Sequence, residues 1–259
     1  MSVGGLARRL LAPLRRTPLH PQWLLGPARR LAPWVREHAR GRVLDVGCAD
    51  RWVRGHLPED AEYVALDYPA TGAGLYRARP DLFGDAARLP IRSATFDTVV
   101  MLEVLEHLRY PREALAEARR VLTPGGIAIV SMPFLYPLHD APHDYQRYTR
   151  HGLERELAAS GLAIRHLQPS LGSVASAALL FNIALAGTVL TAARRRHPGA
   201  LLAPALLALI PLVNLAGWLL GHLLPDWEAF TSGFVLVARA EETAGSDGRA
   251  IPDCRGAVG

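Results

Sequence analysis

Short runs of β-branched and aliphatic residues alternate with helical patterns from residue 42 to about residue 168. The apolar runs predict strands at residues 43–46, 63–66, 98–102 and 127–131. After Pro111, apolar side chains recur at helical spacing, and the Thr-Pro-Gly-Gly sequence at 123–126 ends that helix. Strands and helices that alternate in this way predict a parallel sheet flanked by helices.

The composition of the chain becomes strongly apolar between residues 171 and 225. Residues 174–193 and 200–224 carry no formal charge, and the Arg-Arg-Arg-His-Pro-Gly sequence at 194–199 separates them. Because neither stretch has a polar face, the pattern predicts two helices that are apolar on all sides. A helix of about 20 residues has the length of the hydrocarbon thickness of a bilayer, so each could cross a membrane.

Two more elements complete the pattern. Thr149 is a good N-cap for a helix that buries Leu153 and Leu157, and residues 234–240 predict one last strand. The chain therefore divides into five regions: a basic N-terminal arm with a helix over 27–40 (residues 1–40), an α/β core (41–170), an apolar helical hairpin (171–225), the last strand of the core (226–240) and a disordered tail (241–259).

Charge and composition narrow the class of protein. The chain has 259 residues, of which 50% are hydrophobic and 20% charged, so it suits one globular domain with an appendage. Nine arginines lie in residues 1–42 against one acid, Glu37. Such an arm can meet nucleic acid or an anionic membrane surface, because both present phosphates. The composition alone does not distinguish nucleic acid from a membrane surface as the partner.

The cysteines and the N-terminal sequence indicate the cellular compartment of the protein. Cys48 and Cys254 are far apart and lack metal-ligand spacing, so we expect neither a disulfide framework nor a zinc site built on cysteine. Arginines interrupt the apolar residues near the N-terminus, which argues against a secretory signal. We therefore expect a reducing, cytoplasmic environment.

A glycine turn follows the first predicted strand, in the sequence Val-Leu-Asp-Val-Gly-Cys-Ala-Asp at 43–50. A dinucleotide-binding fingerprint would need glycine at positions 47, 49 and 52, where the chain has Gly47, Ala49 and Trp52. The pyrophosphate cradle of that fold is therefore poorly supported. The turn still lets the backbone pass close to a ligand.

The glycine turn, with Asp45 two residues before Gly47, resembles the first motif of class I S-adenosylmethionine-dependent methyltransferases, and of their type 11 group most closely. The resemblance continues in order through Asp67 at the end of the second strand, Gly84-Asp85-Ala86, the sequence at 102–108 and the sequence at 122–126. It covers residues 41–168 and 234–240. It implies a Rossmann-like, seven-stranded, mostly parallel sheet flanked by helices, with the apolar insertion before the last strand, and S-adenosylmethionine as the cofactor.

The resemblance also implies roles for single residues. Asp67 would accept hydrogen bonds from both ribose hydroxyls, Asp85 would accept from the adenine amino group, and the Ala86 amide would donate to the ring. Glu103 lies where cofactor and substrate meet in the family. The expected cofactor-binding residues are Asp45, Gly47, Cys48, Ala49, Asp67, Tyr68, Asp85, Ala86 and Glu103.

Each of these acids also has a structural alternative. Asp45 could cap a turn, Asp67 could be a solvated strand end, Asp85 could form an Asx turn, and Glu103 could cap a surface helix. Two departures from the family pattern affect the turn itself, since Ala49 and Arg51 stand where the family has glycine. We expect Ala49 to be tolerated at negative φ, and Arg51 to rule out a conformation that only glycine adopts.

A polar loop at residues 137–149 follows the fifth strand, at the sheet edge where ligands bind in such folds. His143, Asp144 and Tyr145 are the candidate catalytic residues, and His143 or Asp144 could act as a base toward a hydroxyl nucleophile. Plain loop packing remains an alternative. A shared helical face could pair His139 with His143 at a metal, but the prolines argue against a helix, so we predict no metal site.

The predicted function is transfer of a methyl group to a small or lipid-linked acceptor at the cytoplasmic face of a membrane. Residues 171–225 and the basic arm would contact the membrane surface. A full hairpin would carry the arginines at 194–196 across the membrane, against the positive-inside tendency, so we favour a shallow hairpin. A soluble helical cap is the alternative for this segment, and no oligomeric state is predicted.

Two other functions stay open. The departures at Ala49 and Arg51 fit a membrane-associated scaffold protein that binds the cofactor but is catalytically inactive. A nucleic-acid methyltransferase would suit the basic arm, but the chain lacks the Asn/Asp-Pro-Pro-aromatic motif of base-flipping enzymes, so we do not expect nucleic acid as a partner.

Overall fold

The computed structural model describes residues 12–26, 30–71 and 79–241, and it centres on one seven-stranded sheet. The strand order is β3-β2-β1-β4-β5-β7-β6. The strands are β1 (Arg42–Val46), β2 (Glu62–Asp67), β3 (Leu82–Phe83), β4 (Phe96–Leu102), β5 (Leu122–Pro133), β6 (Leu162–Pro169) and β7 (Gly233–Ala240).

The direction of pairing divides the sheet in two. From β3 to β5, each neighbouring pair of strands is parallel, and Asp45 on β1 stands beside Ala65 of β2 and Val100 of β4. Strand β7 runs antiparallel to both β5 and β6. The order reverses between β1 and β4, so the loops after these two strands open a crevice at the carboxyl edge of the sheet. The predicted α/β fold with a Rossmann-like, mostly parallel sheet is confirmed.

Helices cover the sheet and extend beyond it: α1 (Ala32–His38), α2 (Pro111–Val121), α3 (Arg150–Ala159), α4 (Ser173–Arg194) and α5 (Ala203–Leu223), with a short helical segment at Pro69–Thr71. Short 3-10 helices lie at Ala12–Arg16, Trp23–Leu25, Trp52–His56, Leu105–His107 and Pro198–Leu202. Thr149 caps α3 by accepting a hydrogen bond from the Gly152 amide, as its sequence predicts. Helix α1 is shorter than the predicted 27–40, of which residues 27–29 lie outside the described part.

The two faces of the sheet carry separate apolar cores. Alternate residues of β1 divide between them, since Leu44 and Val46 pack on the face that α2 and α3 cover, while Val43 packs with Val35 of α1 on the other face. Full burial of one such side chain contributes about 1.5–3 kcal/mol. The position of the glycine turn after β1 is therefore fixed by packing on both sides.

Helices α4 and α5 form an antiparallel hairpin between β6 and β7. Gly217 lies so close to Ala178 that a Cβ at Gly217 would be 2.5 Å from the Ala178 Cβ. The Asn182 amide nitrogen donates to Asn214 Oδ1 (2.9 Å), and the Asn214 amide nitrogen donates to the backbone oxygens of Pro18 (2.7 Å) and His20 (2.9 Å). Small residues and hydrogen-bonded amides thus hold the two helices together and tie them to the N-terminal segment.

Much of the hairpin surface is apolar and exposed. Leu201, Leu212 and Leu223 are exposed by 85%, 63% and 68%. Both helices are long and apolar enough to span a membrane by length and composition, which alone is weak evidence that they do. The predicted disordered tail lies outside the described residues except for Glu241, and residues 1–11 of the basic arm also lie outside them.

Candidate active site

The turn after β1 is built from residues in left-handed backbone conformations. Gly47 has φ 74°, and its amide donates to the Leu66 oxygen (2.9 Å). A Cβ on Gly47 would be only 2.6 Å from Val104 Cγ2. The backbone can therefore pass this close to Val104 only because residue 47 has no side chain.

The two departures from the glycine pattern take positive φ as well. Ala49 has φ 44°, so the expected negative φ is wrong. Arg51 adopts φ 61° and ψ 27°, the left-handed helical region that residues other than glycine can also reach at a cost of about 1–2 kcal/mol. The Arg51 guanidinium makes two hydrogen bonds to the Asp81 carboxylate, each 3.0 Å, which hold this turn in place. Neither substitution prevents the turn from forming.

Asp67 ends β2 and faces the turn. Its Oδ2 accepts a hydrogen bond from the Ala49 amide (2.9 Å) and lies 3.8 Å from Cys48 Sγ, and its Oδ1 accepts from the Tyr68 amide (2.8 Å). The structure thus brings four of the predicted cofactor-binding residues together. A carboxylate has about four acceptor positions, so Asp67 keeps the capacity to accept from a diol.

Asp45 lies deeper, beneath the turn. Its side chain is buried and accepts a hydrogen bond from the Tyr63 hydroxyl (2.6 Å). Burial raises the pKa of Asp45 to about 7, while the Tyr63 hydrogen bond opposes this rise and the Asp67 charge adds to it. Burial, with the charges of Asp45 and Asp67, also raises the pKa of the free Cys48 thiol to about 12.

Asp85 and Ala86 have more local roles. Asp85 is exposed, and its Oδ1 accepts a hydrogen bond from the Ala87 amide (2.9 Å), which is the geometry of an Asx turn. Ala86 is buried in the main apolar core. The structural alternative for Asp85 is therefore present in the structure, and its predicted role toward adenine stays a prediction.

Glu103 follows β4 with φ 57° and joins two strands. Its amide donates to the Ser131 oxygen (3.1 Å), and the Ser131 hydroxyl donates to Glu103 Oε1 (2.7 Å). Arg30 Nη2 lies 3.6 Å from the same carboxylate oxygen. Glu103 thus lies at the carboxyl edge of the sheet and does not cap a helix. The next residue, Val104, packs against Gly47.

The loop at 137–149 brings the three candidate catalytic residues into different surroundings. His143 Nδ1 lies 3.2 Å from the Tyr145 hydroxyl. Asp144 accepts from Arg147 Nη2 (2.8 Å) and from the His139 amide (2.9 Å), and the Arg147 hydrogen bonds hold the pKa of Asp144 well below its usual range. A carboxylate of this kind is a weak base, so the arrangement favours His143 over Asp144 for that role.

Sequence reasoning missed a second group of residues beside this loop. Glu106 and His107 follow β4, and His139 follows β5. One ligand-type atom from each of the three lies within 4.8 Å of the others. The helical face that would pair His139 with His143 is absent, because residues 137–149 form no helix and the His143 ring lies beside Tyr145, with Nδ1 3.2 Å from the hydroxyl. The adjacency of β4 and β5 is the signal that could have found this group, since loops after neighbouring parallel strands meet at one edge.

These features define a class of protein. The glycine turn after β1, the buried carboxylate after β2 and the acidic residue after β4 lie along one carboxyl edge, where an open α/β sheet binds a nucleoside-containing cofactor. The free acceptor capacity of the Asp67 carboxylate, whose Oδ2 accepts from the Ala49 amide, fits such a group.

Comparisons with known proteins agree with this class. Residues 44–130 match the family described as "Methyltransferase domain". A probable S-adenosylmethionine-dependent methyltransferase of Mycolicibacterium smegmatis is 36% identical in an alignment of 116 residues that covers 39% of this chain and 45% of that protein. A ubiquinone biosynthesis O-methyltransferase of Azotobacter vinelandii is 30% identical in an alignment of 184 residues that covers 57% of this chain and 74% of that protein.

The fold is shared with solved structures at lower identity. A SAM-dependent methyltransferase of Thermotoga maritima, described as a possible histamine N-methyltransferase, superposes with a TM-score of 0.50 at 15% identity and covers 92% of this chain and 96% of its own. This likeness concerns the fold alone. The chain belongs to the class I S-adenosylmethionine-dependent methyltransferases, which are enzymes with S-adenosylmethionine as their cofactor.

Proposed function

We propose that this chain is an O-methyltransferase that acts on a lipid-linked acceptor at the cytoplasmic surface of a membrane. One observation carries the proposal: an exposed apolar hairpin begins directly beside the loop that bears the candidate catalytic residues. The name of the Azotobacter vinelandii relative, a ubiquinone biosynthesis O-methyltransferase, supports a quinone-type acceptor with an oxygen nucleophile.

Tyr136 connects the hairpin to the loop. It packs with α4 in the cluster formed around Ala175 and Leu179, and its ring centre lies 5.3 Å from that of His139. An open groove of about 560 Å³ runs from Pro137 along α4 to His197. An acceptor with an apolar tail along this groove would present its polar head to the residues of the loop.

The exposed surface of the hairpin supports contact with lipid. Large contiguous apolar patches are rare on soluble monomers, and each leucine transferred from water into an apolar layer contributes about 1.5–3 kcal/mol. The three arginines at 194–196 lie exposed at the end of α4, where each near an anionic membrane contributes about 1 kcal/mol. Arginines at the tip favour a hairpin that lies in the interface over one that crosses the membrane.

Different residues of the chain have different roles in the proposed reaction. S-adenosylmethionine, when bound, supplies a methyl group on a sulfonium, so that the acceptor oxygen gains the methyl and sulfur keeps the electrons of the broken C–S bond. Asp67 would hold the ribose, and Gly47 lets the backbone approach the cofactor. His143 would take the proton that the acceptor hydroxyl loses. Alignment of the acceptor oxygen is the main requirement, since little covalent catalysis is needed.

Cofactor and membrane binding are tested separately. Calorimetry should show one S-adenosylmethionine bound per wild-type chain and markedly weaker binding by Asp67→Asn. In flotation with phosphatidylglycerol vesicles, the wild type should rise with the lipid, and a chain with Leu212→Asp and Leu219→Asp should stay behind. Tyr110→Asp replaces an equally exposed aromatic residue away from the hairpin and serves as the matched control.

The acceptor is sought by incubating the enzyme with labelled S-adenosylmethionine and membrane extract, with mass spectrometry of the lipids that gain a methyl group. We expect label in a quinone-type or other lipid fraction. Label confined to water-soluble products would contradict the proposed acceptor, and a wild-type chain that remains in solution in the vesicle assay would show that the hairpin is a soluble cap.

A further inference from the structure

Three ligand-type side chains form a cluster that the proposed cofactor contacts leave unused. Glu106 and His107 lie in the 3-10 helix after β4, and His139 lies in the loop after β5. His107 Nε2 is 3.6 Å and His139 Nε2 is 3.9 Å from Glu106 Oε1. These separations are too long for hydrogen bonds. They are close to the spacing of about 3.4 Å between two ligand atoms that bind one tetrahedral ion at about 2.1 Å.

Glu106 is the unusual member of this cluster. Its side chain is fully buried, and neither carboxylate oxygen has a hydrogen-bond partner among the described residues. A buried carboxylate without a partner is costly, so such groups are normally paired, protonated or bound to a metal. Burial, together with the charge of Glu103, raises the pKa of Glu106 well above its usual range. A cation between Glu106 and the two imidazoles would remove the cost of leaving the carboxylate unpaired.

One of the two histidines, His107, is already oriented as a ligand. His107 Nδ1 lies 2.6 Å from the His143 backbone oxygen, so this nitrogen donates its proton there and leaves the lone pair of Nε2 facing Glu106. His139 Nδ1 lies 3.3 Å from Asp144 Oδ2 but makes no hydrogen bond among the described residues, and Tyr136 packs against the ring. Metal-binding histidines characteristically have their second nitrogen held by a carboxylate or a backbone oxygen.

We infer that Glu106, His107 Nε2 and His139 Nε2 bind one divalent transition-metal ion of the zinc type. Two imidazole donors favour such an ion over magnesium or calcium, which prefer oxygen ligands. Three protein ligands leave a coordination position open, as in catalytic sites.

The open coordination position can bind the methyl acceptor, and this assignment rests on the proposed function. The cluster lies between Glu103, at the carboxyl edge of the sheet, and Tyr136, whose ring packs against His139. The acceptor is proposed to enter beside Tyr136. A bound ion would hold the acceptor's hydroxyl oxygen and lower the pKa of that hydroxyl, which makes it a better nucleophile at neutral pH. The class of acceptor expected is therefore one with a phenol or other hydroxyl beside its apolar tail.

The site is tested on the full chain without a polyhistidine tag. After EDTA treatment, the protein is dialysed against Zn²⁺ or Co²⁺, and bound metal is measured by mass spectrometry and by the visible absorption of Co²⁺. The wild type should retain one ion per chain. Removal of any one ligand, by Glu106→Gln, His107→Ala or His139→Ala, should weaken binding by more than the roughly 10–100-fold that loss of an outer-shell partner costs. His151→Ala, at an exposed histidine paired with Glu154, should bind as the wild type does.

Two controls keep the outcomes distinct. Circular dichroism and calorimetry with S-adenosylmethionine on the metal-free proteins report folding and the cofactor site independently of the metal. A folded wild type that retains no metal, or ligand variants that bind metal as tightly as the wild type, would overturn the inference and leave a protonated Glu106 as the explanation. Lipid methylation should fall when the metal is removed and return with Zn²⁺, and methylation that is indifferent to the metal would refute its role toward the acceptor.

Discussion

The buried carboxylate of Asp45 gives a prediction with a definite sign. Its pKa is raised from 3.8 to about 7, chiefly by burial, so the folded protein binds this proton more tightly than the unfolded chain does. Stability from this group is therefore complete below about pH 4 and is lost as the pH rises toward and through 7. The shift corresponds to about 4 kcal/mol in all, and to about 2–3 kcal/mol between pH 5 and pH 8.

Asp45→Asn removes the titration and keeps the shape of the side chain, including an oxygen that can accept from Tyr63. We expect the free energy of unfolding of the wild type, minus that of Asp45→Asn, to fall by about 2–3 kcal/mol between pH 5 and pH 8. Urea denaturation at four or five pH values measures both proteins under identical conditions, so titrations that they share cancel. Asp60→Asn, at an exposed position before β2, controls for replacing a carboxylate by an amide.

The same titration should appear in cofactor binding if Asp45 lines the cofactor site. A cationic cofactor beside Asp45 favours the ionised carboxylate, so affinity for S-adenosylmethionine should rise with pH in the wild type and much less in Asp45→Asn. A difference in unfolding free energy that is constant from pH 5 to pH 8 would refute the reasoning, because it would mean that burial does not hold the proton on Asp45.

Three further predictions concern the turn, the thiol and the hairpin. Gly47→Ala should destabilise the fold by about 1–2 kcal/mol through its positive φ alone, and calorimetry should show that it also weakens cofactor binding; Val104→Ala in the same chain should restore part of the loss, since the new Cβ meets Val104. Cys48 should react slowly with iodoacetamide at pH 8, because burial raises its thiol pKa to about 12, and peptide mass mapping distinguishes it from Cys254; rapid labelling at Cys48 would contradict this. Asn214→Leu should lower the free energy of unfolding by about 1–3 kcal/mol, because the Pro18 oxygen loses the Asn214 donor and the His20 oxygen keeps only the Trp23 amide, and limited proteolysis should then cut the N-terminal segment sooner.

The elements with clear periodicity could be predicted from the sequence. The strands at 43–46, 63–66 and 98–102 lie within β1, β2 and β4, because each is a largely apolar run that follows a charged residue. Strand β5 is longer than predicted. The Thr-Pro-Gly-Gly sequence that ends α2 also begins the strand, with Gly125 at φ 76° and a shift in register between Phe96 and Thr98 that accommodates it.

The site was harder to predict because its geometry depends on contacts distant in sequence. Asp67 could be found because it directly ends a strand. The cluster of Glu106, His107 and His139 could not, since it forms only when the loops after β4 and β5 meet. Residue type alone makes Asp144 a candidate base, but its ion pair with Arg147, three residues later, makes it a weak one. The positive φ of Ala49 could not be predicted, because residue type alone does not fix φ.

Under the proposed function, the polar contacts at the base of the hairpin decide which face of the enzyme meets the membrane. Asn214 ties α5 to the N-terminal segment, and Gln22 of that segment donates to the Tyr136 hydroxyl (2.5 Å), so the hairpin is joined to the loop after β5. Swinging the hairpin away would leave buried amides without partners, at about 1–3 kcal/mol for each group. The base therefore stays packed against the domain, while the exposed leucines and the arginines at 194–196 enter the interface. The groove that runs from Pro137 along α4 then ends at the lipid surface, where a tailed acceptor can enter without leaving the membrane.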